Sequence, residues 1–399
     1  MPAVRVAYFA DSFHEVNGMA RTSREIDAFA RRTDLPFLCV RGGAVTKYTT
    51  DGPTAVLELR RASASIPVDK DLSFDPLLGR HLLRARNALR RFKPDVIHVT
   101  GPGDIGLMGV YFSYHYNIPL VASWHNNLHE LAAHRLHIIL DHPLFSFLPK
   151  AYADFVTLLT ERGALEGVAL FYKLASALFA PNPELVGMLR GRTGKPVHLM
   201  PRGVDTELFS PSKRFRQDGA FTLGFAGRLQ PEKNVRLLVD LQKQLPAGNH
   251  RFLIVGDGFE RSFLTRRLRR AEFTGFLDGE PLAAAYANMD LFVYPSCTDT
   301  YGTAVQEALA SGVPAVVRDQ GGPRYLIESG VNGFVARSDA HFIRSVVQVL
   351  GDPTRLPGLR KEARDSACRT SWDSVCAGVW EVYEQVPRLD SAPAPALLH

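Results

Sequence analysis

Short, fully apolar runs alternate with helix-length segments along almost the whole chain, and this rhythm restricts the possible folds more than any other feature. The runs occupy residues 4–10, 37–40, 56–59, 95–100, 120–124, 177–181 and 197–201, and then 221–227, 250–258, 271–276, 291–296 and 314–319. Strands without polar alternation are buried on both faces, which is typical of parallel sheets covered by helices. The pattern therefore predicts an α/β protein built from parallel sheets.

The polar and basic segment 210–219 interrupts this rhythm and predicts a linker between two domains. A chain of 399 residues also exceeds one typical hydrophobic core. We therefore predict a Rossmann-like N-terminal domain over 1–207 and a Rossmann-like C-terminal domain over 212–370, facing each other across a crevice. The tail 389–399 is predicted to be flexible. Ligands of such sheets bind beyond the carboxyl ends of the strands, so the residues that follow the strands are the candidates for a site.

The composition is that of a soluble globular protein, with 46% hydrophobic and 22% charged residues. No run approaches the roughly 20 apolar residues that a membrane span needs. The N-terminal run lacks a basic flank and a small-residue cleavage site, so we expect a first strand and not a signal peptide. The four cysteines have neither metal-binding nor disulfide-framework spacing, which favours a reducing, cytoplasmic location.

Much of the net charge of +6 comes from the segment 77–93, LLGRHLLRARNALRRFK, which has six Lys and Arg residues and no acidic residue. Its apolar residues recur at helical spacing, so the segment predicts an amphipathic basic helix. Two interpretations stay open: a solvated helix docked on a sheet, or a surface for anionic lipid head groups. Nucleic acid is disfavoured, because no recognised nucleic-acid-binding motif accompanies the charge.

Two motifs match part of the pattern of other ligand sites. Residues 101–106, GPGDIG, match the glycine fingerprint of dinucleotide-binding proteins, yet the next strand ends without the acidic residue that would hold a ribose. A glycine loop lining the crevice is the favoured interpretation. In the segment 124–137, His129 and His134 are five residues apart, whereas the HExxH zinc motif places its histidines four apart. No metal site is therefore predicted.

The first strand of the predicted C-terminal domain ends at Gly227 and is followed by two cations. Arg228 comes directly after the glycine, and Lys233 lies in a Pro-Glu-Lys-Asn turn that opens a helix. Cations at a strand-to-helix junction suit a diphosphate, because a guanidinium binds it bidentately and an ammonium adds a point charge. The alternative is a solvated turn.

A second strand of this domain, 291–296, is followed by two acidic residues eight positions apart, Asp299 and Glu307. Gly302 and Thr303 stand between them at the predicted start of a helix, where the first N–H groups have no partner within the helix. Glu307 would lie just over one turn inside that helix and could accept hydrogen bonds from the hydroxyls of a ribose. The plainer interpretation is an acid at the helix dipole followed by a solvated glutamate.

The N-terminal domain offers two further candidates. Residues 11–26 run from the first strand into a loop with Asn17-Gly18 and then into a helix, so the glycine would let the backbone approach an anion at the helix N-terminus. His125 follows the end of the buried strand 120–124, where its imidazole is expected to point into the crevice.

Together these motifs resemble the retaining glycosyltransferases of family 4, which have the two-domain architecture called GT-B. The resemblance covers nearly the whole chain. The segments that carry it are Asn17-Gly18, Trp124-His125, RGVDTELFSP (202–211), GRLQPEKN (227–234), VGDG (255–258), TGF (274–276) and the acidic segment that ends in EALASGVPAVV. Within the family, the chain is most similar to bacterial enzymes that glycosylate lipids, many of them GDP-mannose-dependent α-mannosyltransferases.

The resemblance implies a retaining transfer of a hexose from a GDP- or UDP-linked nucleotide sugar to a lipid-linked or glycan acceptor, with no metal or other cofactor. It also implies that a C-terminal helix, 371–388, returns to the N-terminal domain. The expected location is the cytoplasm, with peripheral attachment to the inner face of the membrane through 77–93. A nucleotide-sugar hydrolase or epimerase on the same scaffold, and a non-catalytic sugar-nucleotide-binding protein, stay open as alternatives.

Carried over by position, the resemblance implies that Arg228 and Lys233 hold the donor diphosphate. Glu307 would accept from the ribose hydroxyls, Asp299 would lie beside the donor sugar, and His125 would lie near the reacting centre. The family usually has Glu at the position of Asp299, whose side chain is one methylene shorter. We do not expect this difference to make the enzyme inactive. The other implied donor-binding residues are Asn17, Gly18, Gly227, Gly258, Phe276, Tyr301, Gly302 and Thr303.

Overall fold

The computed structural model describes residues 3–15, 17–62, 65–69, 72–125, 163, 165–246 and 248–386. The chain divides into two compact units. The N-terminal unit takes the residues up to Met200 together with those from Cys376 onward, and the C-terminal unit is Pro201–Val375. None of the helices in the described part of the chain combines the length and the apolar character that crossing a membrane requires.

The segment 210–219, predicted to be an interdomain linker, belongs instead to the C-terminal unit. Arg214 and Arg216 form ion pairs with the buried carboxylate of Asp290, at 2.8 and 2.6 Å. Arg360 donates to the same carboxylate at 2.7 Å. Three guanidinium groups that share one carboxylate hold the segment against this unit, so the division between the units falls ahead of it.

Ten strands lie in the described part of the N-terminal unit. They are β1 (Val6–Ala10), β2 (Phe37–Gly43), β3 (Lys47–Asp51), β4 (Thr54–Arg60), β5 (Ile66–Asp69), β6 (Leu72–Phe74), β7 (Val96–Val99), β8 (Leu120–Ser123), β9 (Ala177–Ala180) and β10 (Val197–Leu199). Eight of them form one sheet in the order β10-β9-β8-β7-β1-β2-β4-β3, while β5 and β6 pair separately. The sheet is parallel as predicted, except that its edge strand β3, which was not predicted, runs antiparallel to β4.

Among the described residues of this unit, the helices with defined bounds are α1 (Gly18–Arg32), α2 (Leu82–Phe92), α3 (Asp104–Tyr116) and α4 (Pro183–Thr193). The predicted basic helix over 77–93 is shorter, because a separate 3-10 turn at Leu78–His81 precedes α2 and Lys93 takes a left-handed conformation at its end. Ala85, Leu89 and Phe92 are buried on one face of α2, as the helical spacing predicted.

Six parallel strands form the sheet of the C-terminal unit. They are β11 (Phe221–Ala226), β12 (His250–Val255), β13 (Ala271–Gly275), β14 (Leu291–Tyr294), β15 (Ala315–Arg318) and β16 (Gly333–Ala336). Five were predicted, and β16 was not. The helices are α5 (Leu237–Gln244), α6 (Arg261–Arg267), α7 (Gly279–Ala287), α8 (Thr303–Ala310), α9 (Asp339–Gly351), α10 (Leu356–Cys368) and α11 (Trp372–Gln385).

The strand order of each sheet places its candidate loops. In the C-terminal unit the order is β13-β12-β11-β14-β15-β16. Strands β12 and β13 are added on one side of β11, and β14, β15 and β16 are then added on the other side of β11. The loops that leave the carboxyl ends of β11 and β14 therefore lie side by side, at the position where ligands bind in sheets of this kind. In the N-terminal unit β1 and β7 stand in the same relation.

Helix α11 begins in the C-terminal unit, and its residues from Cys376 onward are part of the N-terminal unit. There the ring of Trp380 lies 5.4 Å from that of Phe29 and 5.8 Å from that of Phe37. One helical turn further on, the buried hydroxyl of Tyr383 contacts the imidazole of His98 at 2.5 Å. The second half of α11 is thus packed into the core around β2 and β7.

Candidate functional site of the C-terminal unit

The loops after β11 and β14 bring Lys233 and Asp299 together. The Lys233 ammonium lies 2.5 Å from one carboxylate oxygen of Asp299, and the hydroxyl of Tyr294 donates to the other at 2.8 Å. The Lys233 and Asp299 side chains are 12% and 20% exposed, so the ion pair is largely shielded from water. Both residues were predicted for the site because they follow strands of the sheet, and the structure places them in contact.

The charge state of this pair follows from its surroundings. Burial acts to raise the pKa of Asp299, but the ammonium of Lys233 and the hydrogen bonds of the carboxylate outweigh it, so the pKa lies below its ordinary value. Burial and the nearby Asp299 raise the pKa of the Tyr294 hydroxyl, which therefore stays a hydrogen-bond donor. At neutral pH Asp299 is an anion held between two fixed donors.

Arg228 is the more accessible of the two predicted cations. Its side chain is 46% exposed, and its guanidinium lies 3.7 Å from the carboxylate of Glu232 in the next turn.

The glycines in the loops after β11 and β12 let these two loops pack closely. A Cβ at Gly256 would lie 2.0 Å from the carbonyl oxygen of Gly227, and a Cβ at Gly258 would lie 2.5 Å from the carbonyl oxygen of Leu229.

Helix α8 starts beside the Lys233–Asp299 pair, and a glycine makes its start possible. Gly302 has φ +98°, and a Cβ there would lie 2.8 Å from Cγ of Pro323. Thr303 is the first helical residue, and its N–H and the next one find no acceptor within the helix because their carbonyl partners would precede it. The helix N-terminus is therefore a place of positive potential.

Arg202 adds a cation that was not among the predicted site residues. Its side chain is largely buried, and its guanidinium donates to the hydroxyl of Thr303 at 3.2 Å. The segment RGVD was noticed in the sequence, but nothing in it showed that its arginine would reach the start of α8. The signal available was the position of a charged residue in the segment that precedes the first strand of the C-terminal unit.

Tyr301 and Phe276 occupy very different surroundings, although both were predicted to contact the donor. Tyr301 is 4% exposed and donates its hydroxyl to the backbone carbonyl of Arg202 at 2.8 Å. Its visible role is therefore to hold the RGVD segment against α8. Phe276, after β13, is 65% exposed and remains available for a ligand.

Glu307 lies on the second turn of α8, as predicted, but it is not the solvated glutamate of the plainer interpretation. It is 7% exposed and accepts a hydrogen bond from the hydroxyl of Tyr286, on α7, at 3.1 Å. A buried carboxylate is costly unless it is hydrogen-bonded. The hydrogen bond from Tyr286 provides one such partner, and the burial excludes the solvated glutamate of the plainer interpretation.

Candidate functional residues of the N-terminal unit

Asn17 and Gly18 form the start of α1. The side-chain oxygen of Asn17 accepts from the N–H of Ala20 at 2.8 Å, which makes Asn17 the N-cap of the helix. Its amide nitrogen donates to the hydroxyl of Ser12 at 2.9 Å. Asn17 thus fixes the loop between β1 and α1, and the backbone of Gly18 is presented at the helix N-terminus.

Asp11, directly after β1, is a buried acidic residue that was not singled out in the sequence. Its carboxylate is buried and accepts from the N–H groups of Gly106 and Gly103, at 2.8 and 3.1 Å. These are the amides at the start of α3, which a dinucleotide fingerprint would offer to a pyrophosphate, so here an internal carboxylate takes that place. Burial, together with the nearby Asp104, raises the pKa of Asp11 to about 7.

His125 follows β8 as predicted and is 3% exposed. Its Nε2 lies 2.8 Å from the hydroxyl of Ser123. The two other histidines weighed as metal ligands, His129 and His134, lie outside the described residues. Among the residues that are described, no three His, Cys, Asp or Glu side chains form a group that could hold a metal ion.

The first residues of the basic segment 77–93 line part of an open cavity of about 530 Å³ near the start of α2. Four arginines and a histidine line it: Arg60, Arg61, Arg80, Arg84 and His81. Two of these arginines are paired with carboxylates, Arg80 with Asp75 and Arg61 with Asp104. Nearby, the apolar side chains of Leu77 and Leu83 are 57% and 65% exposed.

Comparison with known proteins

Comparison with known sequences identifies the family. The family described as "Glycosyltransferase Family 4" matches residues 25–208, and that described as "Glycosyl transferases group 1" matches residues 220–352. The GDP-mannose-dependent alpha-mannosyltransferase of Mycobacterium tuberculosis (strain CDC 1551 / Oshkosh) is 31% identical over 97% of this chain and 98% of its own length. The protein of the same name from Mycolicibacterium smegmatis is 32% identical over 96% of this chain and 98% of its own length. The chain therefore belongs to glycosyltransferase family 4, and it is a glycosyltransferase.

Solved structures agree on the fold. The sucrose-phosphate synthase of Thermosynechococcus elongatus superposes with a TM-score of 0.70 at 17% identity, covering 96% of this chain and 98% of that one. Anabaena HepE, solved in complex with UDP-glucose, superposes with a TM-score of 0.62 at 18% identity, covering 96% and 99%. At these identities the likeness shows the fold alone, which is the predicted GT-B class of two Rossmann-like, parallel-sheet domains.

Proposed function

We propose that this glycosyltransferase moves a mannosyl residue from GDP-mannose, with a UDP-hexose as the alternative donor, to a lipid-linked or glycan acceptor. The transfer is proposed to retain the anomeric configuration and to need no metal or other cofactor. The donor and the sugar are supported by the two relatives that match over nearly their full length, both GDP-mannose-dependent alpha-mannosyltransferases. The observation that carries the proposal is the Lys233–Asp299 pair beside the N-terminus of α8, with Arg228 in the same loop as Lys233.

The cations suit the charge that develops in such a reaction. Breaking the bond between the anomeric carbon and the diphosphate leaves positive charge on the sugar and releases an anionic nucleotide, and fixed donors aimed at that anion lower the barrier. The ammonium of Lys233 has three donor hydrogens, so it can keep Asp299 and also donate to a phosphate oxygen. Arg228, which is about half exposed, can bind a phosphate bidentately.

The carboxylates are proposed to hold the sugar and the ribose. Asp299 stays ionised at neutral pH and can accept hydrogen bonds from hydroxyls of the donor sugar. A carboxylate has about four acceptor positions, so Glu307 can bind ribose hydroxyls while it keeps its bond from Tyr286. For retention we adopt the same-face attack, assisted by the leaving phosphate, that the family resemblance implies. His125 and Gly18 are proposed to serve the reacting centre and the diphosphate from the N-terminal unit.

Peripheral attachment to the cytoplasmic face of a membrane is a separate part of the proposal. Its support is the arginine-lined cavity at the start of α2 and the exposed Leu77 and Leu83 beside it. Such a combination of cations and apolar side chains favours an anionic lipid surface. We expect the protein to co-sediment with vesicles containing anionic lipid at low salt and to be released at high salt. Equal recovery with neutral and anionic vesicles would remove this part of the proposal.

The donor is tested by thermal unfolding in the presence of GDP, UDP, ADP and their sugar conjugates. A ligand that binds the folded state alone raises the melting temperature, so a selective rise with GDP and GDP-mannose is expected. A selective rise with UDP would name the alternative donor. Release of free nucleotide at the full rate without any acceptor would favour the hydrolase instead.

A further inference from the structure

A chain of four buried polar groups connects α11 to His125 within the N-terminal unit. The hydroxyl of Tyr383 lies 2.5 Å from Nδ1 of His98, and Nε2 of His98 lies 3.0 Å from the hydroxyl oxygen of Ser123. The same oxygen lies 2.8 Å from Nε2 of His125. All four residues are at most 3% exposed, so water does not compete for these bonds. We call them the polar chain.

The direction of the hydrogen bonds follows from Tyr383, at one end of the polar chain. Burial raises the pKa of its hydroxyl, which therefore keeps its proton. Among the residues that the structure describes, the one acceptor within reach of this proton is Nδ1 of His98. A buried donor without an acceptor is disfavoured by about tenfold or more in population, so Tyr383 donates to His98.

The remaining protons are then fixed in turn. Burial lowers the pKa of His98 to about 3, so its ring is neutral and carries one proton. Because Nδ1 accepts from Tyr383, that proton is on Nε2 and is donated to the oxygen of Ser123. Ser123 has one hydroxyl proton of its own, and it donates this proton to Nε2 of His125. If His125 instead donated to Ser123, the hydroxyl proton of Ser123 would have no acceptor among the described residues, because its two polar neighbours would both be donors to it.

We propose that Tyr383, His98 and Ser123 are positioning residues that hold neutral His125 as the tautomer with its proton on Nδ1. An oxygen that meets Nδ1 therefore meets a hydrogen-bond donor. In the proposed transfer, His125 acts as a donor to a substrate oxygen and not as a base at that nitrogen. The catalytic consequence rests on the proposed function of His125, whereas the tautomer does not.

The tautomer is measured directly by two-bond proton–nitrogen correlation spectra of enzyme labelled with nitrogen-15 histidine at neutral pH. His125 is assigned from the signal that is lost in His125→Gln. We expect the Nδ1-protonated form in the wild-type enzyme and a mixture of both forms in Ser123→Ala and Tyr383→Phe. An Nε2-protonated His125 in the wild-type enzyme overturns the proposal.

Tyr8→Phe is the matched control, since it removes another fully buried hydroxyl from the same core. The ring of Tyr8 packs edge-on against His98 with centroids 4.9 Å apart, but its hydroxyl contacts Ser23 and not the polar chain. We expect Tyr8→Phe to leave the tautomer of His125 unchanged. A shift toward the other tautomer in Tyr8→Phe as large as that in Tyr383→Phe would show that packing, and not the hydrogen bonds, fixes the ring.

Turnover separates positioning from packing. We expect Ser123→Ala and Tyr383→Phe to lower kcat by about tenfold while the KM for the donor changes by less than about twofold, because a fixed donor acts mainly on the transition state. Tyr8→Phe should keep kcat within about twofold. Equal losses in Tyr8→Phe and Tyr383→Phe overturn the positioning role. If His125→Gln keeps wild-type turnover while wild-type His125 shows the expected tautomer, the proposed function of His125 fails and the assignment of the polar chain stands.

Discussion

Replacing Lys233 by Met tests the electrostatics of the proposed donor site. Methionine keeps most of the length and the apolar stem of the side chain and removes its charge. The lost ammonium lies 2.5 Å from Asp299 and is 12% exposed, so water cannot easily replace it. If Lys233 stabilises the leaving diphosphate, kcat should fall by about 10²-fold or more, which corresponds to about 3 kcal/mol of transition-state stabilisation.

The same change should reverse the effect of Asp299 on stability. In the wild-type protein the pKa of folded Asp299 is lowered, so its contribution to stability is present above the unfolded pKa and is lost as the pH falls. Without Lys233 the burial of the carboxylate prevails and raises its pKa. The variant should then lose about 1–3 kcal/mol of unfolding free energy at neutral pH. Part of this loss should return as the pH is lowered, because protonation then favours the folded state.

Urea unfolding at several pH values and steady-state turnover measure the two effects. Lys213→Met is a matched control, since Lys213 pairs with Glu280, whose side chain is 73% exposed, and such surface pairs contribute little. Combining Lys233→Met with Asp299→Asn should restore most of the stability without restoring turnover. Wild-type kcat in Lys233→Met would refute the diphosphate role. If the unfolding free energy of Lys233→Met changed between pH 5 and 7.5 by the same amount as that of the wild type, the predicted rise in the pKa of Asp299 would be refuted.

Two further predictions concern groups outside the donor site. Asp290→Asn removes the carboxylate that three arginines share, so it should lower the free energy of unfolding by about 3 kcal/mol. The control Asp240→Asn, at an exposed ion pair on α5, should change it by less than about 0.5 kcal/mol. Equal urea midpoints for the two variants would contradict this prediction. Since burial lowers the pKa of His98 to about 3, the unfolded chain binds a proton there that the folded chain does not, and stability should fall as the pH drops below about 6.5. The loss due to this group should be about 1.4 kcal/mol between pH 7.5 and 5.5, and a pH dependence of unfolding unchanged in His98→Gln would exclude it.

The strands were predictable wherever they are apolar. Every run singled out in the sequence is a strand, because a strand buried on both faces leaves a continuous apolar signature. The edge strand β3, Lys47–Asp51, has mostly exposed polar side chains and forms through its pairing with β4, so its own sequence carries no such signature. The linker prediction at 210–219 was wrong because the polar and basic composition of the segment does not reveal its contacts. Arg214 and Arg216 form ion pairs with the buried carboxylate of Asp290.

The candidate site was predictable where one rule of topology applies. Residues that follow the strands were expected to form the site, and the structure places Lys233 and Asp299, which follow β11 and β14, in contact. Arg202 was missed because its contact with Thr303 joins positions 101 residues apart. The polar chain was missed for the same reason, since Tyr383 and His98 are 285 residues apart and neither belongs to a recognisable motif. Long-range side-chain contacts of this kind depend on which faces of the elements meet, and a local pattern does not encode that.

The most direct test of the proposed function is the transfer of labelled mannose from GDP-mannose into extractable lipid, using membranes as the source of acceptor. The wild-type enzyme should place the label in the lipid fraction, and Arg228→Ala and Lys233→Ala should each reduce the rate by about 10²-fold or more. Label that appears as free mannose at the same rate with and without membranes would contradict transfer. Unchanged rates in both variants would contradict the site.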